Sequence, residues 1–213
     1  MPDVVEIDGL LVVNELDTVV SLARSRPEVC ALVVADAALR LNPDLTVDAL
    51  LNENESRESS RGRRRARWPL SRAVRDAESP LESVSRAAVE WLGFAAPQLQ
   101  VWFGQDRCDM WWESTHTVGE ADGELKYDGS LGDPVTALRA RADRDARLRR
   151  EARAIAHWGW SDVVHFDRLR GILIEAGVPR VAPADGTQLM LMQRSLRRAG
   201  RAREAAAAPR EST

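Results

Sequence analysis

The sequence predicts a fold of the α/β (α+β) class, in which an N-terminal helical region precedes a mixed β-sheet. Two patterns support this prediction, because apolar residues first recur at helical spacing and later alternate as they do in strands. The helical patterns lie near residues 16–25, 28–40 and 46–52, and the strand patterns at 99–103, 108–112 and 117–122. A long helical pattern from Asp133-Pro134 to about His157 then leads to an apolar segment at 160–166. We therefore expect a crossover connection and a last strand parallel to 117–122.

The chain divides into four predicted regions, which composition and turn signals separate. They are a hairpin and helical scaffold at 1–60, a basic linker helix at 61–76, an α/β domain at 77–170, and C-terminal helices with a disordered tail at 171–213. We expect the scaffold to carry no chemistry, because its apolar positions, such as Leu32 and Leu39, form a packing stripe.

The helix that opens the α/β domain has a clear N-terminal signal. Ser79 is a preferred N-cap residue, Pro80 fits the first helical position, and Glu82 completes a capping box. Apolar residues from Leu81 to Leu92 give the helix a buried face. Glu82 is therefore explained by capping, and a catalytic role for its carboxylate is the alternative.

A predicted hairpin at residues 109–122 gathers acidic side chains. Asp109 lies on its first strand, and Glu120 and Asp122 share one face of its second. A two-residue turn at Ser114-Thr115 sets Asp109 opposite Glu120, whereas a four-residue loop from the same serine sets it opposite Asp122. Carboxylates this close repel each other, so one interpretation is a cation site and the other is a solvated hairpin face. Oxygen ligands without Cys or paired His suit Mg²⁺ or Mn²⁺ rather than zinc.

The basic residues are clustered, although the formal net charge is only −3. Residues 61–75 and 194–203 hold seven and five Arg without an acid, and residues 139–153 hold seven Arg against three acids. Basic stretches beside an acidic patch fit phosphate binding next to a metal site, and they also fit solvated helix faces. Lys126 is the only lysine among 30 basic residues, which hints that this position requires an ammonium.

Composition favours a globular protein of a reducing compartment. The chain is 44% hydrophobic and 30% charged, and no apolar run approaches the roughly 20 residues that span a bilayer. Its first residues lack the pattern of a signal peptide, and Cys30 and Cys108 suggest neither a disulfide framework nor a metal site. We therefore predict a cytoplasmic protein without a membrane partner.

Several motifs from Ala77 onward resemble one actinobacterial family. They are Glu78-Ser-Pro-Leu-Glu82-Ser-Val-Ser-Arg86, Gln98-Leu-Gln100, Asp109, Glu120-Ala-Asp122-Gly123 with Lys126-Tyr127, an Arg-rich helix, and Gly159-Trp160-Ser-Asp-Val-Val. The family is similar to very-short-patch-repair-like endonuclease domains of the PD-(D/E)XK superfamily, and its members are often described as antitoxin-like proteins of type IV toxin–antitoxin systems, of the AbiEi type. The resemblance covers residues 77–168 well and extends more loosely over 8–52.

The resemblance implies a restriction-endonuclease-like αβββαβ core that hydrolyses phosphodiester bonds of DNA. In its catalytic set, Asp109 and Glu120 would bind Mg²⁺ or Mn²⁺, and Glu82 would match the glutamate of the superfamily's first helix. Asp122 would stand where the superfamily has its lysine, and Lys126 would replace that lysine from a migrated position. The nucleic-acid-binding residues implied for the long helix are Arg141, Arg144 and Arg149, which would grip backbone phosphates. We expect this arginine row to face outward and Leu138 and Leu148 to face inward.

Three departures from the family keep other functions open. Relatives usually begin with a winged-helix DNA-binding region, and this sequence begins after it. His165 stands where relatives usually have Arg, and Gly119 lies within a strand that tends to be apolar in relatives. Many superfamily members have lost activity, so the alternative is a non-catalytic nucleic-acid-binding or antitoxin-like regulator, with a toxin or a second copy as partner. A third interpretation is a structural interaction protein without DNA affinity.

Overall fold

The computed structural model describes residues 4–122 and 134–207, which form two β-sheets and a set of helices. The strands are β1 (Val4–Ile7), β2 (Leu10–Val13), β3 (Gln98–Phe103), β4 (Asp106–Trp112), β5 (Thr117–Ala121) and β6 (Ala154–Trp158). The helices are α1 (Glu15–Ser25), α2 (Glu28–Leu41), α3 (Val47–Ser56), α4 (Arg63–Ser71), α5 (Pro80–Trp91), α6 (Pro134–Leu148), α7 (Trp160–Val164), α8 (Phe166–Glu175) and α9 (Gly186–Ala207). The predicted tail after residue 207 lies outside the described residues.

The main sheet is mixed and contains four strands in the order β3-β4-β5-β6. The first two pairings are antiparallel and the pairing of β5 with β6 is parallel. With α5 before β3 and α6 between β5 and β6, the chain order of this part is αβββαβ. The predicted α+β class and mixed sheet are therefore confirmed, and the strand that pairs parallel with β5 is β6.

The position of the last strand was predicted incorrectly. We expected the long helix to continue to about residue 157 and the strand to occupy 160–166, but the structure has β6 before that segment and α7 within it. The alanines of β6 favour a helix, and pairing with β5 overrides that preference. Gly159 then starts α7, because Asp162 Oδ2 accepts a hydrogen bond from the Gly159 N–H at 3.0 Å.

Gly119 in β5 is required by packing. A Cβ atom at this position would lie 2.5 Å from Cη2 of Trp158 and 2.8 Å from Cζ3 of Trp112. The two indole rings thus cover the strand where it has no side chain. Trp158 Nε1 also donates a hydrogen bond to Ser85 Oγ at 2.8 Å, which ties the sheet to α5. The glycine that we expected to weaken the strand lets it fit between two large rings.

Helix α2 connects the helical scaffold to the sheet region. Leu32 packs in the same apolar cluster as α5 and the inner strands, whereas Leu39 packs in a second cluster with α1, α3 and α4. A buried ion pair adds to this contact, since Arg86 Nη1 on α5 lies 2.9 Å from Asp36 Oδ2 on α2. The position of α5, which carries Glu82, is therefore fixed from both sides.

Candidate active site

Acidic residues of the predicted hairpin meet where β4 and β5 stop pairing. The ladder between these strands ends at Met110 and Gly119, so the next residues along it are Asp109 and Glu120. Of the two predicted registers, this is the one that sets Asp109 opposite Glu120. Asp109 Oδ2 accepts a hydrogen bond from the Ala121 main-chain N–H at 2.9 Å. The Asp109 carboxylate thus accepts the hydrogen bond that a main-chain carbonyl of the neighbouring strand accepts in a continuous ladder.

The connection between β4 and β5 differs from both predicted turns. It consists of residues 113–116, a 3₁₀ turn followed by His116 with a φ of 50°. Trp112 stays in the strand because its ring is buried and its Nε1 donates a hydrogen bond to the Ala95 carbonyl at 2.6 Å. Pairing of Trp112 with Thr117 then gives the observed register despite a loop longer than two residues.

Glu120 is buried beside an arginine. Glu120 is only 3% exposed, and its Oε1 accepts a hydrogen bond from Arg144 Nη2 at 2.9 Å. The same guanidinium nitrogen donates to the main-chain carbonyl of Arg107 in β4. Arg144 therefore brings a positive charge from α6 to the point where the two strands separate.

Burial raises the pKa values of both acids at this point. The pKa of Asp109 is raised to about 6 and that of Glu120 to about 7, first of all because desolvation disfavours the charged forms. Negative charges on Glu82 and Asp122 raise the pKa of Asp109 further, and Arg144 opposes the shift in both groups. Close carboxyls with raised pKa values mark a place where an additional positive charge is stabilised.

Glu82 approaches the same place from α5. The predicted N-cap is confirmed, because Ser79 Oγ accepts a hydrogen bond from the Glu82 N–H at 3.2 Å. The predicted capping box is not formed, because the buried carboxylate of Glu82 accepts its hydrogen bonds at Oε2 from the Glu78 N–H at 3.0 Å and from Gln100 Nε2 at 2.9 Å. Capping thus fixes the main chain, while the carboxylate links α5 to β3.

Gln100 is a residue of this site whose role the sequence did not reveal. It lies in β3 between the paired residues Leu99 and Val101, and its φ is 53°. A left-handed conformation at a residue other than glycine costs on the order of 1–3 kcal/mol, so the surroundings must hold it. Its motif belongs to the family resemblance, but strand alternation gives no signal for a positive φ.

Asp122 belongs to a separate polar network. Its Oδ2 accepts a hydrogen bond from Arg141 Nη2 at 2.5 Å and lies 2.8 Å from His157 Nδ1. The other ring nitrogen of His157 lies 3.0 Å from Asp145 Oδ2. Burial lowers the pKa of His157, but the hydrogen bond with Asp122 and the negative charges of Asp122 and Asp145 together outweigh it, so that this pKa is raised. Asp122 thus has two basic partners of its own.

Of the predicted outward-facing arginine row, only Arg149 faces outward. Arg141 and Arg144 are turned toward the sheet, because Asp122 and Glu120 supply carboxylates there. Arg149 is exposed, with 63% of its side chain accessible and a contact of 3.9 Å to Asp145. Leu138 is also exposed, contrary to prediction, whereas Leu148 is buried as expected.

The donor chemistry of the acidic pair fits a hard divalent cation. Within residues 4–122 and 134–207, no group of three or more His, Cys, Asp or Glu side chains is arranged to hold a metal ion. Proteins commonly hold Mg²⁺ through only one or two carboxylates, however, with water and substrate phosphates as the other ligands. Asp109 and Glu120 meet that requirement, and their raised pKa values indicate insufficiently compensated negative charge. Lys126 lies outside the described residues.

Fold and site together define an α+β protein whose mixed sheet carries an acidic pair, the buried Glu120 and the half-buried Asp109. No protein-family model, curated protein or solved structure matches the chain. Among the helices that the structure describes, none has both the length and the apolar character needed to cross a membrane. Inference about function therefore starts from the geometry of the acidic pair.

Proposed function

We propose that the protein is a metal-dependent hydrolase of DNA phosphodiester bonds, with Asp109 and Glu120 as ligands of Mg²⁺ or Mn²⁺. The observation that carries this proposal is the meeting of two carboxyls, one from each of two neighbouring strands, with pKa values of about 6 and about 7. Motifs that resemble very-short-patch-repair-like endonuclease domains support the same reaction. The αβββαβ chain order also agrees with what the resemblance implies.

The chain's own residues have distinct tasks in this proposal. A bound Mg²⁺ would polarise the scissile phosphate and lower the pKa of an attacking water. Arg144 has five N–H donors in its guanidinium, and only Nη2 is used by Glu120 and the Arg107 carbonyl. No described residue accepts a hydrogen bond from the other donors of Arg144, which would stabilise negative charge on the phosphate. The resemblance implies this task, or that of orienting the attacking water, for Lys126. Glu82 and Gln100 fix the position of β3 beside Asp109.

Nicking of a supercoiled plasmid in the presence of Mg²⁺ or Mn²⁺ tests the proposal. We expect the unaltered protein to nick the plasmid, and Asp109→Asn and Glu120→Gln to slow nicking at least about a hundredfold. Asp167→Asn is the matched control, because this carboxylate is exposed on α8 and its ion-pair partner among the described residues is Arg170. No metal-stimulated nicking by the unaltered protein, or equal nicking by all four proteins, would contradict the proposal.

A non-catalytic nucleic-acid-binding regulator is a second candidate, and a specific contact favours it. Arg144 already neutralises Glu120 without a metal ion, as in a purely structural ion pair. This alternative requires salt-sensitive DNA binding that persists in EDTA and in the Asp109→Asn variant. It also requires that no strand is cut with either metal, so the nicking assay separates the two candidates.

A further inference from the structure

Three arginines of α9 have no partner among the described side chains. Residues 186–203 contain five Arg and neither Asp nor Glu. Three of these arginines, Arg194, Arg197 and Arg198, are exposed and form no ion pair or hydrogen bond with any residue that the structure describes. Elsewhere, many arginines are held by a carboxylate or by main-chain carbonyls, as Arg75 is at the end of α2. The charge of these three arginines is therefore not used inside the described fold.

These three arginines lie on one face of the helix. Their spacing is i, i+3 and i+4, which puts side chains next to each other on an α-helix. Together with Met190 and Gln193 they line a shallow depression of about 320 Å³. Like charges at this spacing repel one another, so the face is stabilised by binding anions. We call Arg194, Arg197 and Arg198 the α9 arginine face.

The opposite side of α9 is anchored to the core. Leu189 and Met192 are fully buried, and Leu196 packs against the same apolar cluster. At the edge between this side and the depression, Gln193 Nε2 donates a hydrogen bond to the Val164 carbonyl in α7 at 2.8 Å. The helix therefore presents the arginine face on a fixed support, and the arginines are not needed to hold the helix in place.

The chemistry of this face favours a polymer of phosphates over a lipid surface. A helix that lies in a membrane interface needs a free apolar face beside its charges. Most of the large apolar residues of α9 are packed in the core. Met190 and Leu191 are exposed, but they are adjacent in sequence and do not form an apolar stripe along the helix. Arginine, with its planar fork of donors, binds phosphate oxygens well without reading sequence.

We propose that the α9 arginine face binds the phosphate backbone of duplex DNA. The proposal rests on the proposed function only for the choice of DNA as the polyanion. The proposal assigns the sequence-independent phosphate contacts to α9 and not to α6, because Arg141 and Arg144 form ion pairs with Asp122 and Glu120. Binding at this face needs neither metal nor cleavage.

Fluorescence anisotropy of a labelled 20-base-pair duplex, measured in EDTA over a series of salt concentrations, tests the proposal. The test variant of the full chain is Arg194→Gln/Arg197→Gln/Arg198→Gln. The control is Arg26→Gln/Arg40→Gln/Arg61→Gln, which removes the same charge from exposed arginines that likewise have no side-chain partner in the described structure. Each phosphate contact contributes about −0.9 to the slope of log K against log salt concentration.

We expect the test variant to reduce the steepness of that slope by about 2 to 3 and to weaken binding at least tenfold at about 100 mM salt. The control variant should show only a small fraction of either change. Equal binding by the test variant and the unaltered protein overturns the proposal, and so does an equal loss in both variants. Binding to phosphatidylserine vesicles but not to the duplex also overturns it. Unfolding curves of both variants show whether either has lost its fold.

The outcome is separable from that of the proposed function. If the α9 arginine face binds DNA and the unaltered protein cuts nothing with Mg²⁺ or Mn²⁺, the surface stands and the hydrolase proposal fails. If the protein cuts DNA and the test variant binds and cuts as the unaltered protein does, the hydrolase proposal stands and the surface proposal fails.

Discussion

Helices α6 and α9 both carry arginines at helical spacing, and their surroundings give these arginines different roles. Three arginines of α6 form ion pairs with carboxylates of the sheet region: Arg141 with Asp122, Arg144 with Glu120, and Arg147 with Asp106. The α9 arginine face meets no carboxylate among the described residues. The same residue type thus compensates buried negative charge on one helix and leaves positive charge at the surface on the other.

The comparison shows that the partner, and not the arginine pattern, decides the role. A carboxylate that is buried without a cation is strongly destabilised, so an arginine opposite it contributes to stability. An exposed arginine contributes little to stability and remains available to an external anion. This contrast gives three predictions, which differ in the size of the expected effect.

Replacing Arg144 with Ala has the largest expected effect on stability. The substitution leaves Glu120 buried without a cation, so we expect the free energy of unfolding to fall by about 3 kcal/mol at pH 8. The loss becomes smaller at pH 5, because Glu120 is then protonated. Urea denaturation at the two pH values measures the effect. Arg149→Ala is the control, and it should change the free energy of unfolding by less than about 0.5 kcal/mol. Equal losses of stability in both variants would contradict the distinction between paired and exposed arginines.

The pH dependence of stability gives a smaller effect. The pKa values of Asp109 and Glu120 lie above 3.8 and 4.5, so the folded protein binds more protons than the unfolded chain between about pH 4 and pH 7. The free energy of unfolding therefore falls as pH rises through this window. Glu120→Gln should remove on the order of 1–2 kcal/mol of that fall. Identical pH profiles for the two proteins would contradict the raised pKa of Glu120.

The smallest expected change concerns the stability of α9. Because the α9 arginine face has no partner in the described fold, replacing its three arginines by glutamine should change the free energy of unfolding by less than about 0.5 kcal/mol. Relief of like-charge repulsion could give a slight increase. Urea denaturation at low salt is the measurement. A loss comparable to that of Arg144→Ala would mean that α9 carries structural ion pairs, as α6 does.

Local pattern was sufficient to predict the acidic hairpin and much of the sheet. Alternation along the hairpin placed Asp109 opposite either Glu120 or Asp122, and the observed strand pairing selects Glu120. The capping signal at Ser79 gave the start of α5. The last strand could not be placed, because its alanines favour a helix until β5 is there to pair with them. The inward direction of Arg144 was also hidden, since its partner Glu120 is 24 residues away along the chain. The positive φ of Gln100 depends on contacts with Glu82 that no spacing reveals.

Titration of the protein with Mn²⁺ tests most directly whether the acidic pair is a metal site. Isothermal titration calorimetry of the unaltered protein at pH 7.5 should show one saturable Mn²⁺ per chain, with weaker binding at pH 6 because the ligands must lose their protons. Asp109→Asn and Glu120→Gln should abolish the binding, whereas the triple substitution of the α9 arginine face should leave it intact. Absence of saturable binding, or equal binding by Asp109→Asn, Glu120→Gln and the unaltered protein, would contradict the metal site at Asp109 and Glu120.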